Sequence, residues 1–115
     1  MRNMSSISDR VVGEAVEAYL GREGMVIAGH CCSGIIDFMC VDAQTQERVF
    51  VAVTAGDGVK DGEEDYNRAT VESEMIHHVA QAGGEIPAGK LRFDAIHIFV
   101  TSEGKGVLRH HRAAL

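Results

Sequence analysis

Apolar positions along the chain fall into two periods. From Ser8 or Asp9, either a competent N-cap, to about Glu23, the residues Val12, Ala15, Val16, Tyr19 and Leu20 recur at the 3.6-residue spacing of a helix, and Gly24 stops it. Shorter runs then read as strands: "MVIA" at 25–28, "GIIDFMCV" at 34–41 and "ERVFVAVT" at 47–54, the last two joined by the polar "DAQTQ" as a hairpin loop. A glycine-rich acidic loop at 55–65 leads to a second helix over 66–82, with Ala69, Ile76, Val79 and Ala80 inward and Gly83 and Gly84 ending it. "LRFDAIHIFV" at 91–100 is a fourth strand, "TSEGKG" a turn, and "VLRHH" at 107–111 an edge strand.

The order helix, three strands, helix, two strands predicts an α/β fold. A mixed sheet of about five strands is covered by two helices, one crossing over between the third and fourth strands. Residues 1–115 read as a single domain with an ordered core over roughly 8–112.

Composition narrows the class. With 45% apolar residues the chain has the material for a core, and 17 acidic against 11 basic residues give a net charge of −6, the opposite sign to a typical phosphate-backbone binder. The first twenty residues hold no signal-peptide core, and the chain has no run of about 18 apolar residues, so no membrane span is expected. Three cysteines, two adjacent at Cys31 and Cys32, make no disulfide framework and suit a reducing, cytoplasmic setting.

One residue breaks the apolar pattern. Asp37 lies in the middle of "GIIDFMCV", and a buried ionised acid needs a partner or a shifted pKa. Strand alternation groups it with Ile35 and Met39, opposite Ile36, Phe38 and Cys40. On the next strand Val49, Val51 and Val53 look like core, leaving Ala52 and Thr54 beside Asp37. Solvent, Thr54, a backbone N–H or a nearby base are the candidate partners for the carboxylate.

"GEAVEAYLGREG", "GIIDF", "VFVAV" and "LRFDAIHI" together resemble the YraN-like bacterial proteins, of the endonuclease-like PD-(D/E)XK fold, over roughly residues 12–112. The resemblance implies a restriction-endonuclease-like core. It also implies a site in which carboxylates on adjacent strands hold Mg²⁺ while a lysine orients the attacking water. Gly34 and Asp37 match the motif, and Glu14 matches the glutamate of the first helix. Ile35 replaces the first-strand glutamate, Ala52 the second-strand glutamate and Thr54 the lysine. Glu14 and Asp37 are the surviving candidate metal ligands, a weak set for Mg²⁺.

The leading expectation is therefore a non-catalytic member of that family, without a cofactor, acting by nucleic-acid or protein binding. The alternative is a Mg²⁺-dependent nuclease whose carboxylates have moved, using Glu14, Asp37 and either Glu72 or Glu74 of the second helix, brought within about 5 Å of one another. Against a nucleic-acid partner stands the acidic stretch Asp57 to Glu74. In its favour is a modest basic patch of Arg92 with "RHHR" at 109–112. A homodimer pairing through the "VLRHH" edge is a further candidate.

Other chemistry is thinly supported. His30, Cys31 and Cys32 are consecutive and lack a C-x₂-C spacing for zinc, with Cys40 and His97 the other residues weighed as ligands. His77 and His78 are about 100° apart on a helix, and His110 and His111 alternate on a strand, so neither pair shares a face. No nucleophile elbow or P-loop is present.

Overall fold

Ten consecutive residues of the central strand show why the chain folds as a layered sheet. In the computed structural model, β4 (Arg48–Asp57) buries Val49, Val51, Val53 and Ala55 on one face and Phe50, Ala52 and Thr54 on the other. A strand buried on both faces belongs between two layers of helix. The structure describes residues 2–3, 9–31, 34–57, 66–81, 91–100 and 106–115.

The elements run β1 (Arg2–Asn3), α1 (Asp9–Arg22), β2 (Met25–His30), β3 (Phe38–Asp42), β4, α2 (Arg68–Gln81), β5 (Leu91–Val100) and β6 (Gly106–His111). The sheet order is β2-β3-β4-β5-β6. Only the β4–β5 pair on that path is parallel, as the α2 crossover requires, and the result is a mixed five-stranded sheet with two helices. The short β1 adds a parallel pairing to Thr54 and Ala55, beyond the point where β3 leaves β4.

Each helix closes one face. Val12, Val16 and Leu20 of α1, spaced by four, pack with the β4 valines, Phe38, Cys40, Ile96 and Ile98. Val71, Met75 and Val79 of α2 repeat that spacing against Ile36, Phe50, Ala52 and Phe93. Gly24, at φ 80°, ends α1 in the left-handed conformation that glycine adopts without penalty.

Several expectations need correction. The buried stripe of α2 is Val71, Met75 and Val79; Ala69 and Ala80 are exposed and Ile76 is 58% exposed. The predicted stripe rested on two alanines, which bury little area, whereas the observed one sets larger side chains on Phe50 and Phe93. Ala15, assigned to the α1 stripe, is exposed as well.

The strand expected from residue 34 begins at Phe38. Gly34 has φ 82°, and the Glu74 carboxylate accepts the backbone N–H groups of Ile35 at 2.9 Å and Ile36 at 3.2 Å, holding that stretch off the ladder. Ile35 and Ile36 therefore both pack toward α2, and alternation starts only at Phe38. "DAQTQ" forms the expected hairpin, with Asp42 Oδ1 accepting the N–H groups of Gln44 and Thr45 as an Asx turn. Ser8, most of the acidic loop, Gly83, Gly84 and the turn after β5 lie outside the described residues.

Candidate functional site

Asp37 stands at the end of the β3–β4 ladder and is 5% exposed. Its backbone N–H donates to Val51 O at 2.8 Å, and its carboxylate Oδ2 accepts the Val53 N–H at 2.7 Å. The side chain takes the place of a ladder carbonyl where β3 has not yet begun and β1 has not yet joined. A backbone N–H is thus one partner of the carboxylate. A carboxylate accepting a buried amide forms one of the stronger classes of hydrogen bond.

The replaced motif positions are occupied otherwise. Ala52 is buried in the α2-side core, Ile35 packs at its margin, and Thr54 Oγ1 lies 2.7 Å from His97 Nδ1 across the parallel β4–β5 pair. His97 in turn stacks on Phe99.

The relocated carboxylates do not converge. Glu14 is exposed on α1 and pairs with Arg10 at 3.2 Å. Glu72 is exposed on α2 and pairs with Arg68 at 3.2 Å, while Glu74 is engaged with the N–H groups of Ile35 and Ile36. Because α1 and α2 cover opposite faces of the sheet, Glu14 and the two α2 glutamates are kept apart. Among the described residues, no group of three or more His, Cys, Asp or Glu side chains could hold a metal ion.

The zinc candidates are likewise dispersed. His30 Nε2 is 2.5 Å from Glu17 Oε1. Cys31 is half-buried, and burial pushes the Cys40 thiol up to about 12. Cys32 lies outside the described residues.

Among the described residues, a dense constellation of charge lies elsewhere, at the end of the sheet where β5 begins. Asp94, fully buried, receives Arg92 Nε at 2.8 Å and Nη2 at 2.9 Å in a bidentate pair, and the Ala113 N–H at 3.0 Å. His110 Nε2 approaches Asp94 at 2.8 Å, and its Nδ1 lies 2.7 Å from Tyr19 Oη. An ionised carboxylate can only accept, so Nε2 carries a proton; in the neutral ring Nδ1 then accepts from the Tyr19 hydroxyl. Arg92 Nη1 also reaches Asp42 at 3.1 Å and Glu47 at 2.9 Å.

Electrostatics follow from that geometry. Burial alone would raise the Asp94 pKa, but hydrogen bonds from His110, Arg92 and the Ala113 N–H together hold it below the usual carboxylate value. At Asp42 the same contest is won by the Gln44 and Thr45 amides and by Arg92, with the same lowered result. Tyr19 is raised, by burial first and then by the nearby Glu23 carboxylate.

The basic patch expected from Arg92 and "RHHR" is thereby corrected. Arg92 is surrounded by three carboxylates with its side chain only 10% exposed, and His110 is buried. Arg112 lies 3.6 Å from both Glu23 and Asp42, and the Arg109 guanidinium sits over the Phe99 ring. The sequence did hold a signal for this network. Arg92 and Asp94 share the strand face of Ile96 and Ile98, which puts two charges on a core-facing row.

Beside the network, a groove of about 460 Å³ opens between α2, the start of β5 and the last residues of the chain. Among the described residues no helix is long and apolar enough to cross a membrane. No protein-family model matches the chain, and no curated protein matches it, so the reading of these sites rests on their own geometry.

Proposed function

We propose that this chain is a non-catalytic, endonuclease-like domain that works in the cytoplasm by binding a protein partner. The observation that carries the reading is the use to which its acids are put. The carboxylate at the best-matching motif position, Asp37, is committed to the Val53 amide, and Glu74, the nearest helix-borne substitute, to the amides of Ile35 and Ile36. A ligand set for Mg²⁺ would have to withdraw these oxygens from buried N–H groups, at about 1–3 kcal/mol for each group left unsatisfied.

Further support comes from the fold class, a mixed sheet with one helix layer on each face, which is compatible with the endonuclease-like resemblance. A protein partner is favoured over nucleic acid because Arg92 and Arg112 are occupied by carboxylates and the chain carries a net charge of −6. The buried thiol of Cys40 fits a reducing compartment.

Incubation of the purified chain with single- and double-stranded DNA and RNA in Mg²⁺ or Mn²⁺, beside Asp37→Ala, tests the reading. It predicts no metal-dependent scission above the variant's background. Scission by the native chain that disappears in Asp37→Ala would overturn it.

A further inference from the structure

His110 is held between two elements by its two ring nitrogens, with Nε2 directed at Asp94 of β5 and Nδ1 at Tyr19 of α1. The imidazole is enclosed and packs edge-on against the Tyr19 ring, the centroids 5.4 Å apart. Charged and titratable groups surround it. Asp94 and Arg92 face it from β5, Tyr19 and Glu23 stand on α1, and Arg112 follows β6. β3 contributes Asp42, which Arg92 and Arg112 reach, and the Cys40 thiol, which feels the Asp94 charge. Arg109 and His111, its neighbours on β6, alternate to the other face of the strand.

The Tyr19 phenol has one proton and two acceptors within reach. Oη lies 2.7 Å from His110 Nδ1 and 3.5 Å from Glu23 Oε1, one helical turn on, so with a neutral ring the proton points to His110. A second proton on the ring reverses the pair: Nδ1–H then donates to Oη, and the phenol O–H turns to Glu23. Glu23 also lies 3.6 Å from Arg112. The reversal therefore joins α1, β5, β6 and the segment after it in one run, from Asp94 through His110, Tyr19 and Glu23 to Arg112. The surrounding charge accommodates it. Four carboxylates, Glu23, Asp42, Glu47 and Asp94, share the two guanidiniums of Arg92 and Arg112, and a cationic ring offsets part of that negative surplus.

We propose that Tyr19 and His110 form a pH-sensitive latch between α1 and β6, in which protonation of the ring turns the Tyr19 hydroxyl from donor to acceptor toward His110 and aims its proton at Glu23. The added proton comes from solvent and the phenol keeps its own, so two hydrogen bonds change direction and no covalent bond is exchanged. Imidazoles change charge between about pH 5 and 8, above the range in which Asp42 and Asp94 take up protons. The latch is thus tightest on the mildly acid side of neutrality, where the imidazolium makes charge-assisted bonds to Asp94 and Tyr19 and Glu23 gains the phenol proton.

Ring ¹⁵N–¹H spectra of the labelled full chain between about pH 8 and about pH 5.5 test the proposal. They are read beside the exchange protection of the Glu23 amide, which closes the last turn of α1 on Tyr19 O at 3.0 Å. At the higher pH His110 should carry its proton on Nε2 with Nδ1 accepting, and at the lower pH both nitrogens should be protonated. Over the same interval the Glu23 protection factor should rise about fivefold, the worth of one net hydrogen bond. Tyr19→Phe, which keeps the ring and loses the hydroxyl, should reduce that rise to about twofold or less. A proton on Nδ1 at the higher pH, a ring that stays neutral throughout, a flat protection factor, or an equal rise in Tyr19→Phe would each overturn the latch. Should that variant fail to fold, the ring spectra and Glu23 protection of the native chain decide the matter by themselves.

Discussion

Asp37 and Asp94 are both buried acids on this sheet, and they are satisfied in opposite ways. Asp37 completes a backbone ladder through the Val53 amide. Asp94 sits at the centre of a side-chain network, with Arg92, His110 and the Ala113 amide all directed at its two oxygens. The first arrangement repairs an irregularity where the chain enters β3. The second ties β5 to β6 and the segment after it, and reaches α1 through Tyr19 and β3 through Asp42. Burial of a carboxylate therefore does not by itself mark a catalytic remnant: what it accepts, and from how many elements, separates a local repair from a global staple.

Removing each acid should widen that contrast. Asp94→Ala leaves the Arg92 guanidinium short of its bidentate partner in a buried setting, and should cost about 3–5 kcal/mol in urea unfolding. If the loss were below about 1 kcal/mol, the network would not hold the elements together.

Acid should weaken the same network more gradually. The folded-state pKa values of Asp94 and Asp42 lie below their ordinary value, so the folded protein binds fewer protons than the unfolded chain around that pH. Their contribution is present above the unfolded carboxylate pKa of about 3.9 and is lost as pH falls through the lower folded values. Unfolding free energies measured between neutral pH and about pH 2 should fall on the acid side, and less steeply in Asp94→Ala.

Asp37 belongs lower on the scale. Asp37→Ala orphans the Val53 amide and should cost about 1–3 kcal/mol, whereas Asp37→Asn keeps a carbonyl acceptor and should cost roughly half of that or less. Equal losses would mean that the negative charge, not the hydrogen bond, matters there. A loss toward the lower end of the Asp37→Ala range is expected at Gly34. A Cβ there would overlap the Glu74 carboxylate at a backbone φ of 82°, so Gly34→Ala should cost about 1–2 kcal/mol and loosen the loop more than the core. Amide exchange at Ile35 and Ile36 would read that loosening directly.

Much of the fold was legible because its signals are local. β5 occupies the predicted residues 91–100, where Phe93, Ile96, Ile98, Phe99 and Val100 favour a strand, and α1 ends just before its glycine. The phase of α2 was not legible, since apolar residues stand on more than one side of the helix and only Phe50 and Phe93 decide which row is buried. The start of β3 was hidden for a similar reason: a glutamate 39 residues downstream holds Ile35 off the ladder.

The candidate site divides in the same way. Asp37 stood out because an acid in an apolar run is visible in the sequence, yet a main-chain amide as its partner has no sequence signature. The Asp94 network draws on Tyr19, Asp42, Glu47, Arg92 and His110, with Tyr19 and His110 separated by 91 residues. Apart from the Arg92–Asp94 spacing on one strand, only the completed sheet brings these groups together.

The central claim is that Asp37 serves the backbone of β4 rather than a metal ion. Hydrogen exchange at the Val53 amide, followed in the native chain and in Asp37→Ala with and without millimolar Mg²⁺ or Mn²⁺, tests it most directly. The account predicts slow exchange in the native chain, unchanged by either ion, and markedly faster exchange in the variant. Exchange at Val53 that responds saturably to the ion in the native chain and ignores the loss of the Asp37 carboxylate would contradict it.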